Sequence, residues 1–432
     1  MRLHLIASKP TDSVIYGFLP AAARLGLDVL LLTDQPEAHE GAIARARGPA
    51  RPGPRYDTAV GAAPGQADCA LSGARPGPVR MVRCDPWDAR ALIAQMAALP
   101  APDAVFTNSD HLQTQTALAA DYFGLPGKDW RSALRAKDKA LMRRRLAETG
   151  AEHVGAVTIT AATRHPQRGL AYPVVLKPAT GVASEDVVLV TGAEELARCS
   201  AGIFARRPGE RLIAEEYLPG TLRTLETLGD GTTTWVLGGF RTDLSAPPFF
   251  IEERLTWDTP VPAAAERHVL AALDDLGVSF GACHTEYVLG AGGDPRLVEV
   301  NDRLIGDHGD FLLADLLGVD LFELTLRVHL GDSLPPAPPQ AGGHAITDCV
   351  VAGRAGRLVA APRGGAQPEA EPGVALTYWP LRQPGDAVPL THTNRDYLGV
   401  ICALGPDPAA VERSVAALRG SGRWQISGEP RP

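Results

Sequence analysis

The sequence predicts a mixed α/β chain of several domains, and three observations carry that prediction. Residues 3–7, 16–25 and 27–33 read as a buried strand, a helix and a second buried strand, the start of an α/β unit. Residues 284–289 and 296–301 read as two strands joined by a turn over 290–295, which is rich in Gly, Asp and Pro. From His344 onward short strands alternate with turns, before Asp407-Pro408 opens a helix over 409–418. A chain of 432 residues has room for two or three domains with substantial cores.

Composition narrows the function classes. The 45% hydrophobic and 21% charged fractions are those of a soluble globular protein. A net charge of −8 argues against nucleic acid or an anionic membrane surface as a standing partner. An anionic ligand would need a local cluster of Lys, Arg or a metal ion. The cysteines at 69, 84, 199, 283, 349 and 402 form no C-x-x-C pair, so neither a zinc knuckle nor a disulfide framework is indicated. The first apolar run is short and ends at Lys9-Pro10, unlike a secretory signal. No run approaches the ~20 apolar residues of a membrane span. Cytoplasm is the default location.

In the N-terminal unit no G-x-G-x-x-G follows the first strand, so dinucleotide binding has no support. Residues 44–80, with ARPGP twice, read as irregular surface chain. A helix over 88–98 and a strand over 104–108 resume the α/β rhythm. Asn108-Ser109-Asp110-His111 lies at the C-terminal end of that strand, where open α/β sheets bind ligands. It reads first as the N-cap of a helix from about Leu112, with a substrate pocket as the alternative.

Residues 130–150 form a cationic amphipathic helix, and residues 172–178 a buried strand carrying a lone Lys177, which needs a partner. A loop spans 179–188. Thr191 and Glu194 form a capping box for a helix to 204. The strand over 211–220 ends in a Pro-Gly turn. Residues 224–240 are two strands around Asp230-Gly231, and 263–276 an amphipathic helix. Residues 311–330 are helical and apolar, and 331–343 a Pro-rich linker.

The hairpin at 284–301 carries the most chemistry. Residues two apart on a strand share a face. With Leu289 opposite Arg296, Glu286 lies opposite Glu299 and His284 opposite Asn301. Tyr287, Leu289, Val298 and Val300 then form the core face, with Cys283 a buried thiol beside Thr285. Facing carboxylates are destabilising unless something offsets them. Water, one raised carboxylate pKa, or a divalent cation held by two carboxylates and an amide oxygen would each do so. Spacing alone leaves these open.

The pattern Glu286…Glu299-x-Asn301-x-Arg303, with HTE at 284–286 and EVNDRLIGDHG at 299–309, resembles the ATP-grasp carboxylate–amine ligases, and within them the L-amino-acid ligase branch. Asp302 stands where that branch usually has proline. The resemblance implies an α+β ATP-grasp fold: a Rossmann-like pre-ATP-grasp domain (1–125), a two-lobed ATP-grasp domain (126–335) and a small C-terminal domain (336–432). It implies ATP as cofactor, with Lys139 (after Asp138) and Lys177 as nucleotide contacts. The loop at 179–188 would cover the phosphates through Gly181 and Ser184, although Glu185 and Asp186 replace the usual small residues. Glu216, Tyr217 and Leu218 would form the adenine hinge. Leu222 stands at the usual acidic ribose contact, with Glu226 as a substitute.

Glu286, Glu299 and Asn301 would hold two Mg²⁺, with Mn²⁺ as an alternative metal. Arg303 and His284 would be catalytic, with Asp307 and His308 beside them. The partners implied are a small-molecule carboxylic acid and an amine, with no nucleic acid and no membrane; homodimerisation stays open. ADP and phosphate would be the products. Dipeptide formation and siderophore or peptide natural-product synthesis are the substrate options. A non-catalytic nucleotide-binding scaffold and a biotin-carboxylase-like carboxylase are the alternatives.

Overall fold

The N-terminal sheet is parallel, with strands in the order Val79–Arg83, Asp28–Thr33, Arg2–Ile6, Ala104–Phe106. Its central strands bury side chains on both faces, Leu3, Leu5 and Leu31 into one core and Ile6, Leu30 and Leu32 into another. Such apolar runs suit parallel strands covered on both sides. The computed structural model describes residues 1–47, 76–163 and 170–428. Most of the irregular stretch expected over 44–80, including Cys69, lies outside the described residues. Its described ends belong instead to the helix Pro36–Arg47 and the strand Val79–Arg83.

The helix expected at 16–25 starts earlier, as a wide turn Ser13–Phe18 running into Leu19–Arg24. A Cβ on Gly17 would lie 2.4 Å from the Phe322 ring. That close approach docks the N-terminal unit on the helix Leu321–His329. Asp88 caps the helix Ala89–Ala97 by accepting from the Arg90 and Ala91 N–H groups.

Two sheets build the centre. A four-stranded antiparallel sheet runs Ala156–Ile159, Leu212–Glu216, Val174–Pro178, Val188–Val190. A ten-stranded sheet has Pro295–Asn301 at its edge, followed by Phe280–Leu289, Thr221–Asp230, Phe240–Leu244 and Glu252–Trp257. It then continues through His344–Val351, Tyr397–Gly405 and Ala375–Pro380. The segment expected as a separate C-terminal domain from 336 therefore shares a sheet with the centre. It also has a core of its own, including Leu358, Tyr378, Ile401 and Val411, under the helix Pro408–Gly420.

Several local readings change. The cationic helix expected over 130–150 is two helices, Trp130–Lys137 and Lys139–Thr149. Asp138, in extended backbone, ends the first and caps the second by accepting from the Ala140 and Leu141 N–H groups. Residues 311–330 likewise split into Gly309–Leu317 and Leu321–His329, because Gly318 takes a left-handed φ of 64°. The capping box slips by one residue: Thr191 bonds Glu195, not Glu194, and Gly192 is the cap. Asn108–His111 caps nothing. The helix Gln113–Tyr122 begins from Leu112 with no side-chain cap, and Asp110 pairs with Lys137.

Candidate active site

The strands Phe280–Leu289 and Pro295–Asn301 place Glu286 opposite Glu299 and His284 opposite Asn301. The expected pairing of Leu289 with Arg296 does not form. Leu289 faces Pro295, because a β-bulge beyond Glu286 inserts Val298 as an extra residue. Val298 therefore lines the cavity, and Leu297 takes the core position expected for it, beside Tyr287 and Val300. Cys283 is buried on the packed face, and burial pushes its thiol up to about 12, which leaves it unreactive.

The pocket-facing side of this hairpin looks across at the four-stranded sheet, with a cavity of about 370 Å³ between them. That volume is in the range of small-molecule sites. Lys139, Lys177, Gly181, Ser184, Glu216, Tyr217 and Leu218 line it from one side. His284, Glu286, Glu299, Asn301 and Arg303 line it from the other. The residues expected to bind nucleotide and metal, together with His284 and Arg303, thus border one cavity, whereas His308 and Glu226 do not line it.

The charges are paired in a specific way. Lys139 Nζ lies 2.8 Å from Glu299 Oε1 and 3.1 Å from the Gly181 carbonyl. Burial lowers the Lys139 pKa, but Glu299 outweighs it and the net shift is upward. His284 donates from Nδ1 to Glu226 Oε1 at 2.8 Å, and its Nε2 is 3.5 Å from Glu286. Burial pulls His284 down, while Glu226 and Glu286 push it up to about 10, so it carries charge at neutral pH. Asn301 Nδ2 reaches Glu286 at 3.5 Å. Glu226 is buried behind His284, so it cannot serve as the ribose contact; Leu222 alone of that pair borders the cavity.

Lys177 has a protein partner that went unrecognised in the sequence: Glu215, on the neighbouring strand, pairs with its ammonium. Glu215 is the first of two acids that follow the apolar run Leu212–Ala214 on one strand, and its place beside Lys177 on the adjacent strand was not readable from that run. Burial raises the Glu215 pKa, but Arg143 and Lys177 hold it down at about 2. Burial keeps the Lys177 pKa below the usual lysine range even so. A phosphate would supply the negative charge this lysine still lacks.

At the hinge, Glu216 is already engaged: its N–H donates to Gly155 O at 2.8 Å and its carboxylate accepts from Gly155 N–H at 3.0 Å. Tyr217 N–H donates to Pro173 O. The Leu218 N–H has no partner among the described residues and borders the cavity. It is the hinge donor that a purine edge could use.

The loop over 181–187 reaches its shape without extra glycines, with Ala183, Ser184 and Asp186 at φ of 57°, 53° and 56°. Such left-handed non-glycine residues need surrounding contacts to hold them. Those contacts are arginines outside the cavity. Glu185 pairs with Arg207 at 2.8 Å and with Arg395, and Asp186 pairs with Arg206 at 2.5 Å and Arg207 at 3.2 Å. Ser184 Oγ donates to Phe250 O at 2.8 Å, and Asn394 N–H donates to Ala183 O at 3.1 Å. The two acids that break the glycine-rich pattern therefore turn away from Lys139 and Lys177.

Two acids near the site, Glu252 and Asp110, escaped the sequence reading or were misassigned; the third acid there, Asp307, is one the sequence had placed beside the site. Glu252 borders the cavity, and burial together with Glu286 and Asp307 pushes it up to about 8. Nothing in the run 252–254 marked it. Asp307 also borders the cavity, at a left-handed φ of 52°. Partial burial raises the Asp110 pKa, yet Lys137 and Arg303 hold it below the usual range. His308 stacks on Trp379, centroids 4.4 Å apart, and approaches Asp12 at 3.3 Å.

The donor set fits Mg²⁺–nucleotide. Among the described residues no three His, Cys, Asp or Glu side chains converge closely enough to hold a metal by themselves. Two carboxylates and an amide oxygen on one face, opposite two lysines, suit an ion whose shell is completed by phosphate oxygens and water. Among the described residues, no helix is long and apolar enough to cross a membrane.

No protein-family model matches this chain. The uncharacterized protein y4rH of Sinorhizobium fredii is 28% identical over 317 residues, 71% of this chain and 64% of that protein. The match thus spans less than two thirds of this curated relative. The L-amino acid ligase from Bacillus licheniformis superposes with a TM-score of 0.75 at 20% identity, over 99% of each chain. This chain has the ATP-grasp fold. A second ATP-grasp structure, the biotin carboxylase domain of Hydrogenobacter thermophilus 2-oxoglutarate carboxylase with MgADP, ADP and bicarbonate, superposes with a TM-score of 0.65 at 16% identity, over 98% of this chain and 90% of that one. In this chain the loop over 181–187 follows a strand of the four-stranded sheet, the hairpin at 280–301 belongs to the ten-stranded sheet, and residues of both line the cavity.

Proposed function

We propose that this protein is an ATP- and Mg²⁺-dependent carboxylate–amine ligase that forms an amide or peptide bond and releases ADP and phosphate. One observation supports this above the others: Lys139 and Lys177 face Glu286, Glu299 and Asn301 across one cavity, with Arg303 beside them. ATP with Mg²⁺ supplies a transferable phosphoryl group that gives the acid a leaving group. The chain's part is positioning and charge. Lys139 and Lys177 hold phosphate oxygens; Glu286, Glu299 and Asn301 hold the metal. Arg303 fixes the oxygens of the acid being activated, and the guanidinium geometry suits a bidentate grip. His284, held as a cation by Glu226, sets the orientation of Glu286. Leu218 N–H meets the base at the hinge.

Within this class we propose amino acids as substrates, joined to a dipeptide or to a peptide or siderophore precursor, in the cytoplasm. The test is an ADP-release screen of the purified full chain across amino acids, polycarboxylates and amines. Release of ADP that depends on both an acid and an amine supports the ligase. ADP release that depends on bicarbonate alone would move the protein to the carboxylases, and nucleotide binding with no turnover on any pair would make it a scaffold.

A further inference from the structure

Glu152 belongs to none of the motifs above, yet its side chain is only 1% exposed and joins the two walls of the cavity. Its Oε2 accepts from the Leu297 N–H at 2.9 Å and lies 2.9 Å from His268 Nε2. Its Oε1 accepts from Arg143 Nη1 at 2.9 Å. Arg143 Nε in turn donates to Glu215 Oε2 at 2.8 Å, and Glu215 pairs with Lys177.

Leu297 is the residue just before the bulge at Val298, on the edge strand of the ten-stranded sheet. Edge N–H groups lack a neighbouring strand, and an unpaired one in the interior costs roughly 1–3 kcal/mol. Glu152 supplies the missing acceptor. With Leu297 held in its core position beside Tyr287, an unbroken ladder would turn Glu299 and Asn301 into the core and Val300 into the cavity; the extra residue Val298 returns them to the cavity face. The N–H groups of Arg143 and Leu297 can only donate, so an acceptor-only side chain is the one that satisfies both.

We propose that Glu152 is a positioning residue for both halves of the site: it pins the bulge that aims Glu299 and Asn301, and through Arg143 and Glu215 it places the Lys177 ammonium. The consequence for nucleotide and metal rests on the ligase reading; the pinning of the bulge does not. Glu152→Gln keeps the volume but turns an amide NH₂ on either Arg143 or the Leu297 N–H, and each orientation opposes donor to donor. Changing a group that orients a metal ligand typically lowers metal affinity about 10–100-fold.

The test uses the full chain and two measurements. Hydrogen exchange at the Leu297 amide should accelerate at least about 10-fold in Glu152→Gln, with no ligand present. Calorimetric titration should show ADP binding about 10-fold weaker without metal, and the further tightening by Mg²⁺ reduced about 10-fold. Arg143→Lys, which keeps the Glu152–Leu297 bond, should weaken metal-free ADP binding while leaving the Mg²⁺ increment and the Leu297 exchange unchanged. It carries the test if Glu152→Gln does not fold. His268→Gln should leave both affinities as they are. A purely structural Glu152 would lower Tm and leave exchange at Leu297 and both affinities within twofold of wild type at 10 °C; that result overturns the proposal. Wild-type protein that binds no ADP, with fast exchange at Leu297 only in Glu152→Gln, would instead sink the ligase reading and leave the pinning role standing.

Discussion

Glu299→Gln separates what the hairpin does for stability from what it does for chemistry. Two facing carboxylates suggest that removing one charge should relieve repulsion and stabilise the metal-free protein. The structure reverses that sign. Lys139 is 5% exposed, and its ammonium sits 2.8 Å from Glu299, while His284 offsets Glu286. The amide would leave Lys139 a buried cation with only neutral acceptors. Removing one partner of a buried pair costs roughly 3–5 kcal/mol, and a retained acceptor brings that to about 1–3 kcal/mol. At roughly 2–4 °C per kcal/mol for a domain of about 150–250 residues, Tm in EDTA should fall by about 2–12 °C. Turnover on the acid–amine pair identified in the screen should fall at least ~100-fold, about 2.7 kcal/mol in the transition state. Calorimetry in EDTA and ADP release in Mg²⁺ measure the two effects separately. A Tm that rises would refute the pairing argument, and full turnover would show that the hairpin is not the metal site.

Reversing Glu185 and Asp186 to Lys sets like charge against Arg206, Arg207 and Arg395. Limited proteolysis at 181–187 should speed up and ATP should bind at least ~10-fold more weakly; tighter binding would mean that the acids face the nucleotide. Burial, reinforced by Asp320, pushes Asp315 up to about 8, so its carboxyl is neutral in the fold at neutral pH. Its stabilising contribution is complete below the unfolded value near 4 and is lost as pH rises through about 8. Asp315→Asn should therefore raise Tm at pH 8–9, with the gain shrinking to nothing near pH 4; a gain independent of pH would contradict this. Hydroxylamine, with acid, ATP and Mg²⁺ but no amine, should yield a hydroxamate and stoichiometric ADP, and release of AMP with pyrophosphate would exclude an acyl phosphate.

Local chemistry was enough to find most of the pieces. Alternation on two strands put Glu286, Glu299, Asn301 and His284 on one face, because the side-chain period of a strand is two and needs no knowledge of the rest of the chain. The apolar strand around Lys177 demanded a buried partner, although not which one. The sequence also determined the N-terminal α/β unit and the helix at 263–276, where apolar periodicity is strong and Gly277 ends the helix. What it could not determine were pairings between residues far apart in the chain. Glu215 meets Lys177 across two strands, Arg395 meets Glu185 from 210 residues away, and Glu226 is taken by His284 rather than a ribose. The bulge at Val298 belongs to the same class. A strand's own alternation predicts an unbroken ladder, and the extra residue persists only because Glu152, brought in from another part of the fold, accepts the hydrogen bond that the edge strand cannot make for itself.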